Sequence, residues 1–516
     1  RASVDLYSFY AQGGYFADNT SVKFITFGGK EKTYHAWNYA TKEEMKKYGR
    51  RFNSCGMYTD DDGHIRFYKD QTDNYLQMNY QLLLNHTFSA AWNLNAALHY
   101  TKGDGYYQEY KEDRSLKEYR LHPFMYDGKE VEKSDLIRQK KMDNHFGGGV
   151  FSVNYRNEKL DASLGGALNY YDGWHFGRVI WVKNYIGELL PDHEYYRNKA
   201  KKTDGNLYLK ANYNLVAGLN AYADLQYRYI NYKIHGDNDK YDYNTDGLQK
   251  LAVNDHFNFF NPKAGLNWDI DSNNRVYASF SIAQKEPTRN NYTDGNADEY
   301  PKAEKLYDYE LGYTYRNTWL STGVNFYYMD YKDQLVLTGE LNEIGEAMAR
   351  NVPDSYRTGV ELMLGVKPCR WFQWDINGTL SKNRVKNFTE KLYEDEWKNP
   401  IEVEHGNTPI AFSPDFILNN RFSFSHKGFE AAQSQYVSKQ YMSNAKQAEQ
   451  TLDAYFVSNL NLAYTFQLPH VKSVTVGFTI YNLFNEKYEN NGYAGSGYTL
   501  KDGKPERYNY AGYAAQ

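Results

Sequence analysis

No long apolar run occurs in this sequence. Runs such as Leu82-Leu83-Leu84 and Val179-Ile180-Trp181-Val182 stop after a few residues. A membrane-spanning helix needs roughly 18 or more, so a helical membrane protein is excluded. Cysteine is nearly absent: Cys55 and Cys369 cannot build a disulfide framework, and no Cys-x-x-Cys occurs. Proline is scarce at 12 residues, which suits long uninterrupted strands. There is no excess of either charge sign, with 60 basic and 64 acidic residues and a formal net charge of -4. A nucleic-acid partner would want a basic surplus, and none is expected. Neither Gly-x-Ser-x-Gly nor a His-x-x-x-His pair with a central Glu is present, so no enzyme activity is expected. The opening Arg1-Ala2-Ser3-Val4-Asp5-Leu6 lacks a charged segment followed by an apolar one, so no secretory signal is read there.

What is abundant is tyrosine, 53 residues, within an aromatic content of 17%. The mean hydropathy of -0.82 resembles that of a disordered chain, but disordered segments are poor in aromatics. Alternation resolves the conflict. Successive strand side chains point to opposite faces. Leu207, Leu209, Ala211, Tyr213 and Leu215 alternate with Tyr208, Lys210, Asn212 and Asn214. Leu219, Ala221, Ala223, Leu225, Tyr227 and Tyr229 alternate with Asn220, Tyr222, Asp224, Gln226 and Arg228. Val360, Leu362 and Leu364 oppose Glu361, and Val474, Val476, Phe478 and Ile480 oppose Thr475, Gly477 and Thr479. A soluble sandwich also alternates. Here, however, full charges such as Lys210, Asp224, Arg228, Glu310 and Glu361 occupy the polar face, as in a wet lumen, and Leu219 to Ile234 alternates for about sixteen residues, against ~5–6 in a soluble strand. The expected fold is all-β: an antiparallel up-and-down transmembrane β-barrel spanning residues 1–516 as one domain.

Connection lengths supply the topology. Short turns are expected at 17–21, 89–93, 156–160, 216–219, 271–274, 316–319, 367–370, 426–428 and 467–472. Long connections are expected between them, at 28–74, 102–144, 173–205, 235–256, 284–306, 332–355, 382–414 and 438–453. Sorting by parity puts short turns at one end and long loops at the other, as in bacterial outer-membrane barrels. Counting gives about 18 strands. The chain enters directly on a strand and closes on a would-be long loop, Asn485–Gln516, so the expectation is a barrel fragment with at least one strand missing at each end.

From about Tyr213 onward the segments resemble TonB-dependent receptors, especially those of Bacteroidetes. The residues that carry this are Phe259-Phe260-Asn261-Pro262-Lys263-Ala264-Gly265-Leu266 and Glu304-Lys305-Leu306-Tyr307-Asp308-Tyr309-Glu310-Leu311-Gly312-Tyr313. Tyr331-Lys332-Asp333-Gln334-Leu335, Asn351-Val352 with Gly359-Val360-Glu361-Leu362, and Ile480-Tyr481-Asn482-Leu483-Phe484-Asn485-Glu486-Lys487-Tyr488 follow in order. The resemblance implies a complete barrel of about 22 strands, a plug domain not contained in this sequence, and energising by the TonB–ExbB–ExbD complex. It implies active import of a scarce nutrient across the outer membrane, foremost a ferric siderophore or cobalamin. Outer-membrane lipid, lipopolysaccharide and a surface lipoprotein are the other partners it suggests.

Ligand contact is expected from the long-loop end, through Trp181, Tyr185, Tyr292 and Trp397, because aromatic faces bury large area at little entropic cost. Asp242, Asn244 and Asp246, followed by Gly247, match the first half of a calcium loop, but the twelfth position is Val253 rather than Glu, so calcium is a weak candidate. Haem is disfavoured, because the connection 284–306 holds no His. Other functions compatible with the pattern are a passive porin, a glycan importer of the SusC type and, last, a soluble glycan-binding β-protein.

Overall fold

A computed structural model describes residues 2–187, 189, 193–243, 245–295, 300–342, 345–394, 398–425 and 432–515. No helix among them is long and apolar enough to cross a membrane. Among the described residues nineteen strands join one sheet. Lys398–Pro409 and Phe416–Phe424 both pair with Phe372–Glu394, at its far and near ends, and act as one interrupted strand. Counted so, the wall has the 18 strands expected. Strands consecutive in the chain pair as antiparallel neighbours. The turn at 426–428 lies outside the described residues.

The chain forms two compact units. The first (Arg1–Asn38, Asn53–Ala211, Asp224–Asn261) contains the ladder Val4–Phe16, Thr20–Tyr34, Thr72–Thr87, Trp92–Ser115, Lys133–Arg156, Leu160–Val182. The second (Tyr39–Phe52, Asn212–Ala223, Pro262–Gln516) continues through Asn274–Lys285, Glu304–Arg316, Leu320–Leu341, Ala347–Cys369 and Phe372–Glu394. Its last wall strands are Ala432–Val437, Tyr455–Leu468 and Val471–Ile480.

Three of the short turns share one chemistry. Asn157 Oδ1 accepts from the N–H groups of Lys159 (2.9 Å) and Leu160 (2.8 Å). Asn317 does the same for Trp319 and Leu320, and Asp271 for Asn273 and Asn274. Such side chains mimic a backbone turn and stop the strand. At the turn between Val216 and Leu219, Gly218 has φ 79°, and a Cβ there would stand 2.5 Å from the Asp269 carbonyl oxygen.

The long connections differ from expectation in one respect. Those at 235–256 and 332–355 are largely strand: Leu219–Asp242 runs into Gly247–Asp269, and Leu320–Leu341 into Ala347–Cys369. Cross-strand charges hold such extensions, with Lys332 bound to Asp354 across the hairpin. Asn485–Gln516 is likewise a hairpin, Glu489–Lys501 against Lys504–Ala515. The loops have cores of their own. In the first unit Leu116, Tyr119, Leu121, Phe124, Leu136, Val179, Val182 and Tyr195 pack together, all buried. Beside them Arg138 donates to Glu109 Oε2 through Nε (2.9 Å) and Nη2 (2.8 Å), with side chains only 3% and 2% exposed.

Candidate functional site

Register assigns the wall residues to faces, because directly opposed residues share a face. Tyr309 pairs with Tyr328, Leu311 with Phe326, and Val324 with Leu362. Of these, Tyr309, Leu311, Phe326, Tyr328 and Leu362 are exposed. Glu310 pairs with Tyr327, and Asn325 with Glu361, on the other face. There Tyr277 Oη donates to Asn325 (2.9 Å), and Asn325 donates to Glu361 (3.3 Å). In the first unit Leu207, Leu209 and Leu225 are exposed. Arg228, of opposite parity, binds the Asp204 carboxylate through Nε (3.0 Å) and Nη2 (2.5 Å). Asp224 is half-buried and Lys210 is exposed.

The loop aromatics mostly hold the loops. Tyr185 meets Phe124 edge-on at 5.1 Å and packs on the buried cluster. Tyr292 is buried, sits in the short helix Arg289–Thr293 and meets Tyr300 at 5.6 Å. Trp181 is 39% exposed, with its ring 6.0 Å from Tyr110. Trp397 lies outside the described residues. So does Asn244, and the calcium half-loop around it is engaged otherwise: Asp246 accepts from Lys117 (3.0 Å) and Tyr241 (2.7 Å), and Asp242 from Thr245 (2.9 Å).

A more pronounced arrangement lies where no site residue was expected, on the hairpin Glu489–Ala515. Gly497 opposes Tyr508, Gly495 opposes Tyr510, and Gly512 opposes Tyr493. A Cβ at any of the three glycines would fall on the facing tyrosine ring. Glycine therefore lets each ring lie flat across the neighbouring strand. Tyr508 and Tyr510 stay 39% and 45% exposed, and Tyr493 and Tyr510 centroids are 6.3 Å apart. The opposite face is buried at Ala494, Tyr498 and Tyr513. Ala494 and Tyr513 pack on Met442 and Leu452, and Gln450, fully buried, donates to the Gly495 carbonyl at 2.6 Å. Arg507 clamps Glu390 at 2.6 and 3.0 Å, and His405 Nε2 lies 2.8 Å from the same carboxylate. Backbone bonds join Tyr513 to Ala40 at 2.9 and 3.2 Å, tying in the segment that carries helix Lys42–Tyr48. Burial, with help from the Glu340 charge, pushes the Tyr510 phenol up to about 12. The signal in the sequence was the interleaved Tyr-x-Gly-x-Gly and Tyr-x-Tyr-x-Gly of Tyr493–Gly497 and Tyr508–Gly512.

A family model described as TonB dependent receptor-like, beta-barrel matches residues 10–483. The chain belongs to that family. Members are outer-membrane receptors rather than enzymes, and they bind small nutrient ligands and work with the TonB energy-coupling system. Similar solved structures include the ferric yersiniabactin uptake receptor FyuA from Yersinia pestis, at 13% identity and TM-score 0.63, covering 95% of this chain and 67% of that one. The siderophore receptor PiuA from Acinetobacter baumannii aligns at 11% identity and TM-score 0.66, covering 99% and 73%. The copper transporter OprC aligns at 13% and 0.66, covering 94% and 68%. At such identities the likeness carries the fold alone. Among curated proteins no sequence matches.

Proposed function

We propose that this TonB-dependent barrel actively imports a metal complex, a ferric siderophore first and cobalamin second, and that residues 1–516 act as one barrel domain. The observation that supports this reading best is the family match over 10–483, joined by fold neighbours that are siderophore and copper receptors. The ring row Tyr493–Tyr510–Tyr508 serves as the flat surface on which an aromatic or macrocyclic chelator is received. Trp181 adds an exposed ring, while Tyr185 and Tyr292 hold loops in place. Lys210, Asp224, Arg228, Glu310 and Glu361 line the wet interior, where a plug would find partners for its own charges. TonB–ExbB–ExbD supplies the energy. Outer-membrane lipid, lipopolysaccharide and, for cobalamin, a surface lipoprotein are further partners.

The test is growth of a strain deleted for the gene on limiting iron, limiting cobalamin, or oligosaccharide as sole carbon source, with and without TonB. An iron-specific defect that deletion of TonB reproduces supports the reading. A defect confined to oligosaccharide makes the protein a glycan importer. A TonB-independent defect makes it a passive channel.

A further inference from the structure

Asparagine stands before glycine twice in the chain, at Asn377–Gly378 and Asn491–Gly492. Such a pair is the most open of any to cyclisation, because the glycine nitrogen has no neighbouring Cβ to keep it from the asparagine Cγ. Both pairs lie in the second unit, and both asparagines are exposed. Their backbones differ. Asn377 pairs with Met363 on one side and Asn419 on the other, and its Oδ1 accepts from Asn419 Nδ2 (3.1 Å). Ladders on both flanks oppose the backbone rotation that ring closure requires. Asn491 adjoins a register shift, in a strand whose ladder among the described residues runs only to Lys504–Ala515.

Packing demands glycine at 492. A Cβ there would stand 2.6 Å from the Gly512 carbonyl oxygen and 2.6 Å from Met442 Sδ. The Asn491 side chain meets two polar groups instead. Its Oδ1 accepts from the Gly492 N–H at 2.9 Å, which holds the attacking nitrogen beside the carboxamide. Such restraint acts as a high local concentration. Its Nδ2, the leaving nitrogen, donates to Tyr39 Oη at 3.0 Å. Burial holds the Tyr39 phenol above its ordinary value, so at neutral pH it keeps a proton to give to a departing amine.

We propose that Asn491 is a self-modification site, where the chain converts its own asparagine to aspartate and isoaspartate. The Gly492 nitrogen gives its proton to hydroxide and bonds to Asn491 Cγ. Tyr39 Oη protonates Nδ2, the Cγ–Nδ2 bond breaks, ammonia leaves, and water reprotonates the phenolate. Water then opens the five-membered imide. Opening at Cγ gives aspartate, and opening at the main-chain carbonyl gives isoaspartate, with one more carbon in the main chain. Nothing is oxidised or reduced. The extra carbon shifts Tyr493 against Gly512, and the lost Nδ2 ends the donation to Tyr39, which loosens the segment 39–52. The inference is independent of which nutrient is carried.

Receptor purified in mild detergent is aged at neutral pH and digested in heavy-oxygen water, which marks any conversion during digestion. Trypsin releases the two pairs in Tyr488–Lys501 and Trp371–Lys382. Mass spectrometry reads the change from amide to acid, and isoaspartyl methyltransferase counts isoaspartate. Conversion at Asn491 is expected to be at least about tenfold faster than at Asn377 and no slower than in a synthetic peptide of 488–501. Tyr39→Phe, with an unchanged unfolding midpoint, is expected to slow it about tenfold. Asn491→Gln, which needs a six-membered ring, is expected to stop it. Aged receptor is expected to be cut by trypsin within 42–51 severalfold faster than fresh receptor, and aged Asn491→Gln no faster than fresh. Equal rates at Asn377 and Asn491, or a rate at Asn491 far below that of the peptide, would overturn the proposal. Unchanged conversion in folded Tyr39→Phe would overturn the role given to Tyr39.

Discussion

Replacing Leu209 by Arg tests the assignment of faces on which the functional reading depends. The strand Glu194–Val216 carries Gly205, Leu207, Leu209, Ala211, Tyr213 and Leu215 on one parity, and Lys201, Lys199 and Arg197 on the same parity above them. Gly205 to Leu215 is ten residue steps, roughly 33 Å along the strand at ~3.3 Å per step. A tilt of about 45° reduces that to about 23 Å of height, close to the ~25 Å apolar band of an outer-membrane barrel. Leu209 then sits roughly 9 Å below the upper edge, near mid-membrane, and its 52% exposure is exposure to lipid. An Arg at such a depth costs about 2–4 kcal/mol, falling to about 0–1 near the interface. Reversible unfolding in guanidinium chloride from lipid vesicles measures the difference. Leu209→Arg is expected to lower stability by that amount, and Thr203→Arg, two outward positions beyond Leu207, by much less. The neighbouring Tyr208→Arg faces the interior and is expected to be nearly neutral. If Tyr208→Arg costs as much as Leu209→Arg, the faces are reversed. If neither costs anything, no membrane surrounds this strand.

Removing the Glu109 carboxylate by Glu109→Ala takes away the oxygen to which Arg138 donates through both Nε and Nη2, and leaves that guanidinium buried beside Tyr119. The expected loss is about 3–5 kcal/mol of local stability, read as faster proteolysis of 116–135, and Glu109→Leu with Arg138→Met is expected to restore most of it. His35 is buried, and burial holds its imidazole down to about 4 from an ordinary 6.5. The sign follows: the folded loop prefers the neutral ring, so stability is full above pH 6.5 and is lost as pH falls from about 6.5 toward 4. The full difference is on the order of 3 kcal/mol. Amide protection factors, corrected for the intrinsic pH dependence of exchange, are expected to fall around residues 35–71 across that window and to lose that fall in His35→Phe. Tyr508→Ala with Tyr510→Ala is expected to weaken uptake of the metal complex by about 5- to 150-fold at an unchanged unfolding midpoint, since ring stacking is worth about 0.5–1.5 kcal/mol per pair beyond area. Unchanged transport would remove the hairpin from the ligand path.

Most of the wall was legible in the sequence because its physics is local. Period-two alternation needs only the residue and its neighbours, and Asn157, Asp271 and Asn317 stop strands through bonds two and three residues away. The interrupted strand was harder. Lys398–Pro409 and Phe416–Phe424 pair with different halves of one partner, and nothing local marks the break at 410–415 as part of a wall. The long connections were located but misread in kind. Periodicity weakens there because both faces meet water or other loops, so 235–256 and 332–355 looked like coil where cross-strand charges continue the ladder.

The site was less legible for a related reason. An aromatic in a long loop has two uses, to pack the loop or to meet a ligand, and composition does not distinguish them. Tyr292 and Tyr185 went to packing because each found an apolar neighbour in its own unit, Tyr300 and Phe124. The tyrosines of the hairpin Glu489–Ala515 were settled differently, by the glycines opposite them. A tyrosine facing a side chain across a ladder stands up from the sheet. One facing glycine can lie down, covering the bare backbone while offering its other face outward. Gly495, Gly497 and Gly512 make that choice three times on one face, while the other face is spent on Gln450, Met442 and Leu452. The hairpin packs the middle of one side on the loop core and lays three rings on the other, and under the proposed function the first side supports what the second receives. If the proposed function holds, that division separates a ligand surface from a loop core where aromatic content alone does not.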